Sequence, residues 1–216
     1  MKTKTFLKLP EERQIVILDA SASIFAAKGY FQASVAEICE AAEMSNGALY
    51  KYFKNKRGLY IAVASRMMDL MLGISEQLDL ENLSFYEKLR RIFEAVVPFV
   101  NNYRDYFVVY MDLGSPSMDP FAEDLSDQFE GQTADFFAAL IDQAKSDGEI
   151  DSAIPTDSAT YLLDNHMMLF AFSCVSEHYD RRFHQYFETR RVNERIDAEK
   201  KIEIMLDSFH QFLGKK

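Results

Sequence analysis

Residues 34–53, reading S-V-A-E-I-C-E-A-A-E-M-S-N-G-A-L-Y-K-Y-F, constrain this chain more than any other stretch. They spell two short helices joined by a tight turn. Ser34 with Glu37 three residues on is a capping box, in which each side chain can satisfy a backbone N–H left over at a helix start. Val35, Ile38, Ala41 and Ala42 then recur at helical spacing and give one apolar face. Ser45 restarts the pattern as an N-cap. After it, Leu49 and Phe53 lie four apart and face inward together. Gly47, Tyr50, Lys51 and Lys54 fall on the opposite arc, at about 100° per residue. Only Glu43 and Met44 separate the two patterns. A second helix held across the first by so short a turn can enter a DNA major groove, with its N-terminal residues nearest the base edges.

The polar arc of that second helix supplies candidate contacts. Tyr50, Tyr52, Lys54 and Lys56 can donate to phosphates, while Ser45, Asn46 and Lys51 lie nearer the groove floor. Ser34, Gly47 and Ala48 complete the expected DNA-facing set. The plain alternative is an ordinary solvent-facing surface.

Three pieces carry a family resemblance: I-L-D-A-S-A-S-I-F-A-A-K-G-Y, the helix-turn-helix run continued through K-N-K, and G-L-Y-I-A-V. Together they span Ile17 to Ala64, and their order and spacing resemble the N-terminal domain of the TetR family of transcriptional regulators. The resemblance implies an all-helical protein that dimerises through a divergent C-terminal domain and binds a small effector there. The chain departs from the common family pattern at three positions. Asn46 stands where Lys is frequent, Ala48 where Thr or Ser is frequent, and Glu43 where the turn often has Gly. These changes remove a phosphate contact and add a negative charge nearby.

The net charge of −10 runs against DNA binding until its distribution is considered. Residues 1–60 hold nine Lys and Arg against six acids, a net +3, and residues 61–216 carry −13. An acidic remainder repels DNA and confines contact to one end. No apolar run is expected to approach the ~18 residues that span a bilayer. The start, M-K-T-K-T-F-L-K-L-P-E-E, lacks the apolar core and cleavage site of a secretory signal. Cys39 and Cys174 both sit in apolar helical patterns, which predicts buried reduced thiols and a cytoplasmic protein with no membrane association.

The rest of the chain reads as helices. Pro10 suits the first turn of helix one, with Ile15, Leu18, Ala22 and Phe25 inward and Gly29 at its end. A fourth helix is expected from Lys56 to about Asp79. A second capping box, Ser84 with Glu87, opens a helix to about Asn102 that Pro98 kinks. A short aromatic helix, Tyr103 to Leu113, stops at Gly114. Asp119 and Pro120 are expected to start a helix that ends at Gly148. Thr156 to about Glu177 is apolar nearly all round, and a last amphipathic helix runs from about Ile196 to Leu213. The stretch 178–195 is charged and aromatic, and its role is open.

Met67, Met71, Phe93, Phe107, Tyr110, Met111, Phe137 and Phe170 can line an adaptable apolar effector site, although each can equally be plain core. Asp164, Asn165 and His166 interrupt an apolar helix, so a ligand, a second subunit or a core hydrogen bond must satisfy them. Asn165 and His166 therefore join the candidate effector set. The surrounding acidic excess favours a lipophilic cation over an anion. The Arg pairs at 181–182 and 190–191, with Arg195, read as a solvated face or as a second DNA or partner site. No Walker loop, G-x-S-x-G, H-E-x-x-H or G-x-G-x-x-G occurs, no metal-ligand spacing is present, and neither an enzyme nor a cofactor is expected.

The sequence thus predicts an all-α fold with a three-helix DNA-binding domain at 1–55 and a larger helical regulatory and dimerisation domain at 56–216. The expected function is a repressor, released from a palindromic double-stranded operator by a small apolar or aromatic effector. The homodimer is expected through helices near 156–177 and 196–213. The alternative is a DNA-bound adaptor controlled by a protein partner, with no inducer.

Overall fold

The computed structural model describes residues 2–75, 77–187 and 196–214, with backbone alone at 122–124 and 126–130. Among the described residues every regular element is helical. In chain order these are Glu11–Gln32 (α1), Val35–Ala41 (α2), Asn46–Phe53 (α3), Lys56–Ser75 (α4), Phe85–Asn102 (α5), Arg104–Asp112 (α6), Ala122–Ser146 (α7), Thr156–Val175 (α8), Glu177–Phe187 (α9) and Ala198–Leu213 (α10). Short 3-10 turns occupy Phe6–Lys8 and Pro116–Phe121.

The chain divides into two compact units. The first comprises residues 1–73 and 103–128, and the second 74–102 and 129–216. The first unit therefore extends past residue 55, the boundary expected from the motif, and takes in most of α4 and all of α6. In it α1 packs on α6 and on α2. The expected inner positions Leu18, Ala22 and Phe25 are buried with Ile17, while Ile15 is only half-buried. Gly29 breaks α1 as expected, with φ 69°, and one further helical turn follows it. Only a residue without a Cβ takes that conformation at no steric cost.

α4 ends at Ser75, four residues earlier than expected. It also corrects the reading of apolar runs, because it carries an 18-residue window with a mean hydropathy of 1.2. Its inward residues explain the composition. Leu59, Tyr60, Ala62, Val63, Ala64, Met67 and Met68 are all buried, and the Tyr60 hydroxyl donates to the carbonyl of Val109 at 3.1 Å. This is a core helix of the first unit. The helix expected to begin at Asp119 begins instead at Ala122, because Pro116–Phe121 tightens into a 3-10 turn with Met118 and Phe121 buried.

The second unit is a helical cluster of α5, α7 from residue 129 onward, α8, α9 and α10. Phe85, Leu89, Phe93, Phe137, Ile141, Leu163, Phe170, Ile202 and Phe209 form its centre. Phe93 and Phe170 meet edge to face, 5.2 Å apart, the arrangement that ring quadrupoles favour. The capping box at Ser84 forms as expected, with Glu87 Oε2 accepting from both the amide and the hydroxyl of Ser84. α5 runs through Pro98 to Asn102, so the i→i−4 bond to Glu94 is missing there. α7 closes on Gly148, at φ 72°, with Glu149 N–H donating to the carbonyl of Ala144 at 2.9 Å. Buried Lys201 ties α10 to α8 and α9, donating to Ser173 Oγ at 3.1 Å and to Asp180. Residues 178–187 of the charged stretch lie in α9; Arg190, Arg191 and Arg195 lie outside the described residues.

Candidate nucleic-acid interface

The helix-turn-helix is assembled by local bonds that its sequence encodes. Ser34 caps α2, its hydroxyl oxygen accepting from Glu37 N–H at 3.2 Å, and Glu37 Oε2 accepts in return from Ser34 N–H at 3.1 Å. The Glu37 carboxylate also pairs with Lys28. The Lys28 ammonium first, and then the Ser34 donors, hold its pKa down from the ordinary 4.5 to about 2. Ser45 Oγ caps α3, accepting from Ala48 N–H at 3.2 Å.

The turn between the helices explains one departure from the family pattern. Glu43 sits at φ 48°, in the left-handed region where a Cβ crowds the following carbonyl. Glycine would be relaxed there. Instead, bonds from elsewhere hold the turn. Met44 N–H donates to the Cys39 carbonyl at 2.9 Å, and the Arg13 guanidinium donates to the carbonyls of Ala42 and Glu43 at 2.9 and 2.8 Å. Arg13 thus fastens α1 to the end of α2, a contact that no local sequence signal announces.

α3 divides as its pattern predicts. Leu49 and Phe53 are buried, while Ser45, Asn46, Gly47, Tyr50, Lys51 and Lys54 are exposed. Tyr50 is 53% exposed, so its hydroxyl can reach outward. Ala48 and Tyr52 are half-buried; the Tyr52 ring packs edge-on against Phe6, 5.9 Å away. Ser34 is exposed but committed to its cap. Lys56 differs from its expected role. Its ammonium donates to the carbonyls of Tyr30 and Ala33 at 2.7 and 3.0 Å and lies over the Tyr30 ring. It braces the α1–α2 connection. Gly58, at the start of α4, meets the end of α3 so closely that a Cβ would fall 2.1 Å from the carbonyl oxygen of Phe53.

Residues 2–8 were not foreseen as part of this assembly. Thr3 N–H donates to the carbonyl of Tyr52 and its hydroxyl to the carbonyl of Lys51, both at 3.0 Å. Those are two of the last carbonyls of α3, which have no partner within the helix. Phe6 is fully buried, its ring centroid 4.7 Å from that of Phe53. A fully buried Phe contributes roughly 1.5–3 kcal/mol toward holding this segment, alongside the Thr3 bonds.

The residues expected to meet an effector fall in both units. Met67, Met71, Phe107, Tyr110 and Met111 belong to the first, and Phe93, Phe137, Asn165, His166 and Phe170 to the second. Within the second, Phe93, Phe137 and Phe170 share one buried cluster. Asn165 and His166 are half-buried, and each bonds one turn back along α8: Asn165 Nδ2 to the Tyr161 carbonyl at 2.7 Å, His166 Nδ1 to that of Leu162 at 2.6 Å. Each thus has one bond within its own helix. Asp164, beside them, has its carboxyl pushed up by burial.

Among the described residues, α3 presents an exposed polar and basic arc on the second helix of a helix-turn-helix, an arrangement that can meet duplex DNA. The sequence pattern described as "Bacterial regulatory proteins, tetR family" matches residues 17–63, from the buried face of α1 into α4. The HTH-type transcriptional activator FasR of Mycolicibacterium smegmatis is 31% identical over 96 residues, 44% of this chain and 44% of that protein. The matched stretch thus spans less than half the length of that relative. Among solved structures, a TetR family transcriptional regulator from Chloroflexus aurantiacus superimposes with a TM-score of 0.71 at 18% identity over 100% of both chains. The regulator FadR from Bacillus subtilis, in complex with stearoyl-CoA, superimposes with a TM-score of 0.69 at 17% identity, over 91% of this chain and 99% of that one. Residues 17–63 thus carry the N-terminal pattern of that family, and the rest of the chain shares the fold of the superimposed structures.

Proposed function

We propose that this protein is a transcriptional regulator that binds duplex DNA through α3 and is controlled by a small apolar effector held in its second unit. The observation that carries the reading is the split of α3: Leu49 and Phe53 buried, Asn46, Tyr50, Lys51 and Lys54 exposed, with no acidic residue from Met44 to Met68. Such a helix presents donors to phosphates and base edges and little that repels them. It acts as a homodimer, with α8 and α10 facing a second copy. Tyr161, Leu162 and Leu169 on α8 and Phe212 on α10 are exposed apolar side chains that a partner would cover. Two copies related by a two-fold axis read a palindromic operator.

The effector is apolar, and a long acyl chain is its leading class. The aromatic cluster around Phe93, Phe137 and Phe170 supplies an apolar environment, and the similarly folded FadR holds stearoyl-CoA. Repression relieved by effector is the expected mode; the FasR relative is an activator, so the sign of control belongs to the experiment.

The test begins with sites selected from the organism's own genome, bound by purified protein at fixed salt. Tyr50→Ala with Lys54→Gln weakens binding to all sequences, and Lys51→Gln shifts sequence preference. Wild-type affinity in the Tyr50/Lys54 double variant would remove α3 from the interface. A second arm adds acyl-CoA thioesters, free fatty acids or lipophilic cations. The true class raises the melting temperature and changes operator affinity together, because coupling between two sites is reciprocal. A ligand that stabilises the protein and leaves operator affinity unchanged would sink the control mechanism.

A further inference from the structure

We infer that residues 2–8 form a phosphate clamp that extends the DNA interface beyond the helix-turn-helix. The inference rests on the DNA-binding reading of α3. The two chain segments richest in unopposed positive charge are brought together here. Residues 1–10 contain Lys2, Lys4 and Lys8 and no acid, and residues 44–68 contain Lys51, Lys54, Lys56, Arg57 and Arg66 and no acid. Thr3 joins them, bonding to the carbonyls of Lys51 and Tyr52 at 3.0 Å each.

The joint is built. The Thr3 hydroxyl also accepts from Phe6 N–H at 3.3 Å, and the Thr3 carbonyl accepts from Leu7 N–H at 3.1 Å, so the segment folds on itself while it grips α3. Phe6 is fully buried beside Phe53. The anchored residues are Thr3 and Phe6, and the cations between and beyond them, Lys4 and Lys8, stay exposed. Lys2 is half-buried, with its ammonium 3.5 Å from Asp69, and is not counted in the clamp. Glu11 and Glu12, the first acids of the chain, open α1, where they complement the helix dipole. Lys4 and Lys8 thereby flank the same end of α3 from which Lys51 and Lys54 project. In this proposal Lys4 and Lys8 add to the positive charge that Lys51 and Lys54 offer to backbone phosphates.

Phosphate contacts are independent of sequence, so the probe is a short random-sequence duplex titrated at several salt concentrations. Each lysine that neutralises a phosphate contributes about 0.9 to the slope of log affinity against log salt. Lys4→Gln with Lys8→Gln lowers that slope by about 2 for each DNA-bound protomer, and Lys4→Arg with Lys8→Arg restores it. Both lysines are exposed, so the melting temperature stays at the wild-type value in both variants. An unchanged slope in the Gln pair, with wild-type protein binding normally, would overturn the clamp and leave the reading of α3 intact. Wild-type protein with no salt-dependent binding to duplex would overturn both.

Discussion

The hydroxyl of Tyr106, on α6, donates to Asp19 Oδ1, on α1, across 2.7 Å. The Tyr106 ring is buried, and burial, followed by the Asp19 bond, pushes its pKa far above the usual phenol value, so the group remains a neutral donor. This bond ties α6 to the helix that Arg13 fastens to the turn after α2. Tyr106→Phe deletes the donor without opening a cavity, and the exposed Asp19 can return to water. The expected cost is about 1–2 kcal/mol, read as a lower urea midpoint with an unchanged slope. An unshifted midpoint would show that the bond carries no net stability.

Glu43→Gly relieves the left-handed strain in the helix-turn-helix and also removes a negative charge next to the reading helix. It should stabilise the protein by roughly 0.5–1 kcal/mol, since glycine occupies this region without the Cβ penalty. It should also tighten binding to random-sequence duplex at low salt and lose that advantage at high salt, where exposed charges are screened. Looser binding at low salt would mean that the Glu43 carboxylate does not face DNA.

Glu37 gives the first unit a defined acid sensitivity. Its folded pKa, about 2, lies below the ordinary 4.5. A depressed carboxylate stabilises the fold above its unfolded pKa, and that contribution fades as pH falls from about 4.5 through about 2. Melting curves should therefore place wild type above Glu37→Gln at neutral pH, with the gap closing toward pH 2. A gap that widened on acidification would contradict the assignment.

A charge on the exposed face of α8 tests the dimer. Leu169 is 41% exposed, so Leu169→Glu is tolerated by a single chain and opposed by a second copy packed there. Light scattering at micromolar concentration should give a dimer for wild type and a monomer for the variant. Wild-type monomer at that concentration would defeat the proposed assembly.

What could be read from the sequence follows the range of the forces involved. The capping boxes at Ser34/Glu37 and Ser84/Glu87 and the breaks at Gly29 and Gly148 are settled within a few residues, and all appear in the structure. The inward and outward faces of α3 were equally legible, because Leu49 and Phe53 share one side of a single helix. Contacts between distant residues were not. Thr3 meets residues 51 and 52, Arg13 meets residues 42 and 43, Lys56 meets residues 30 and 33, and Tyr106 meets residue 19. No periodicity marks any of them, and Lys56 in particular reads in sequence as one more surface cation. At Asn165 and His166 the sequence left a ligand, a second subunit and a core hydrogen bond open, and the structure gives each side chain one bond to an i−4 carbonyl.

The close fit at Gly58 limits what position 58 can hold. Where a methyl group would collide with the Phe53 carbonyl, the backbone entering α4 already meets the end of α3. A side chain at position 58 would push the start of α4 away from the end of α3 that it now abuts.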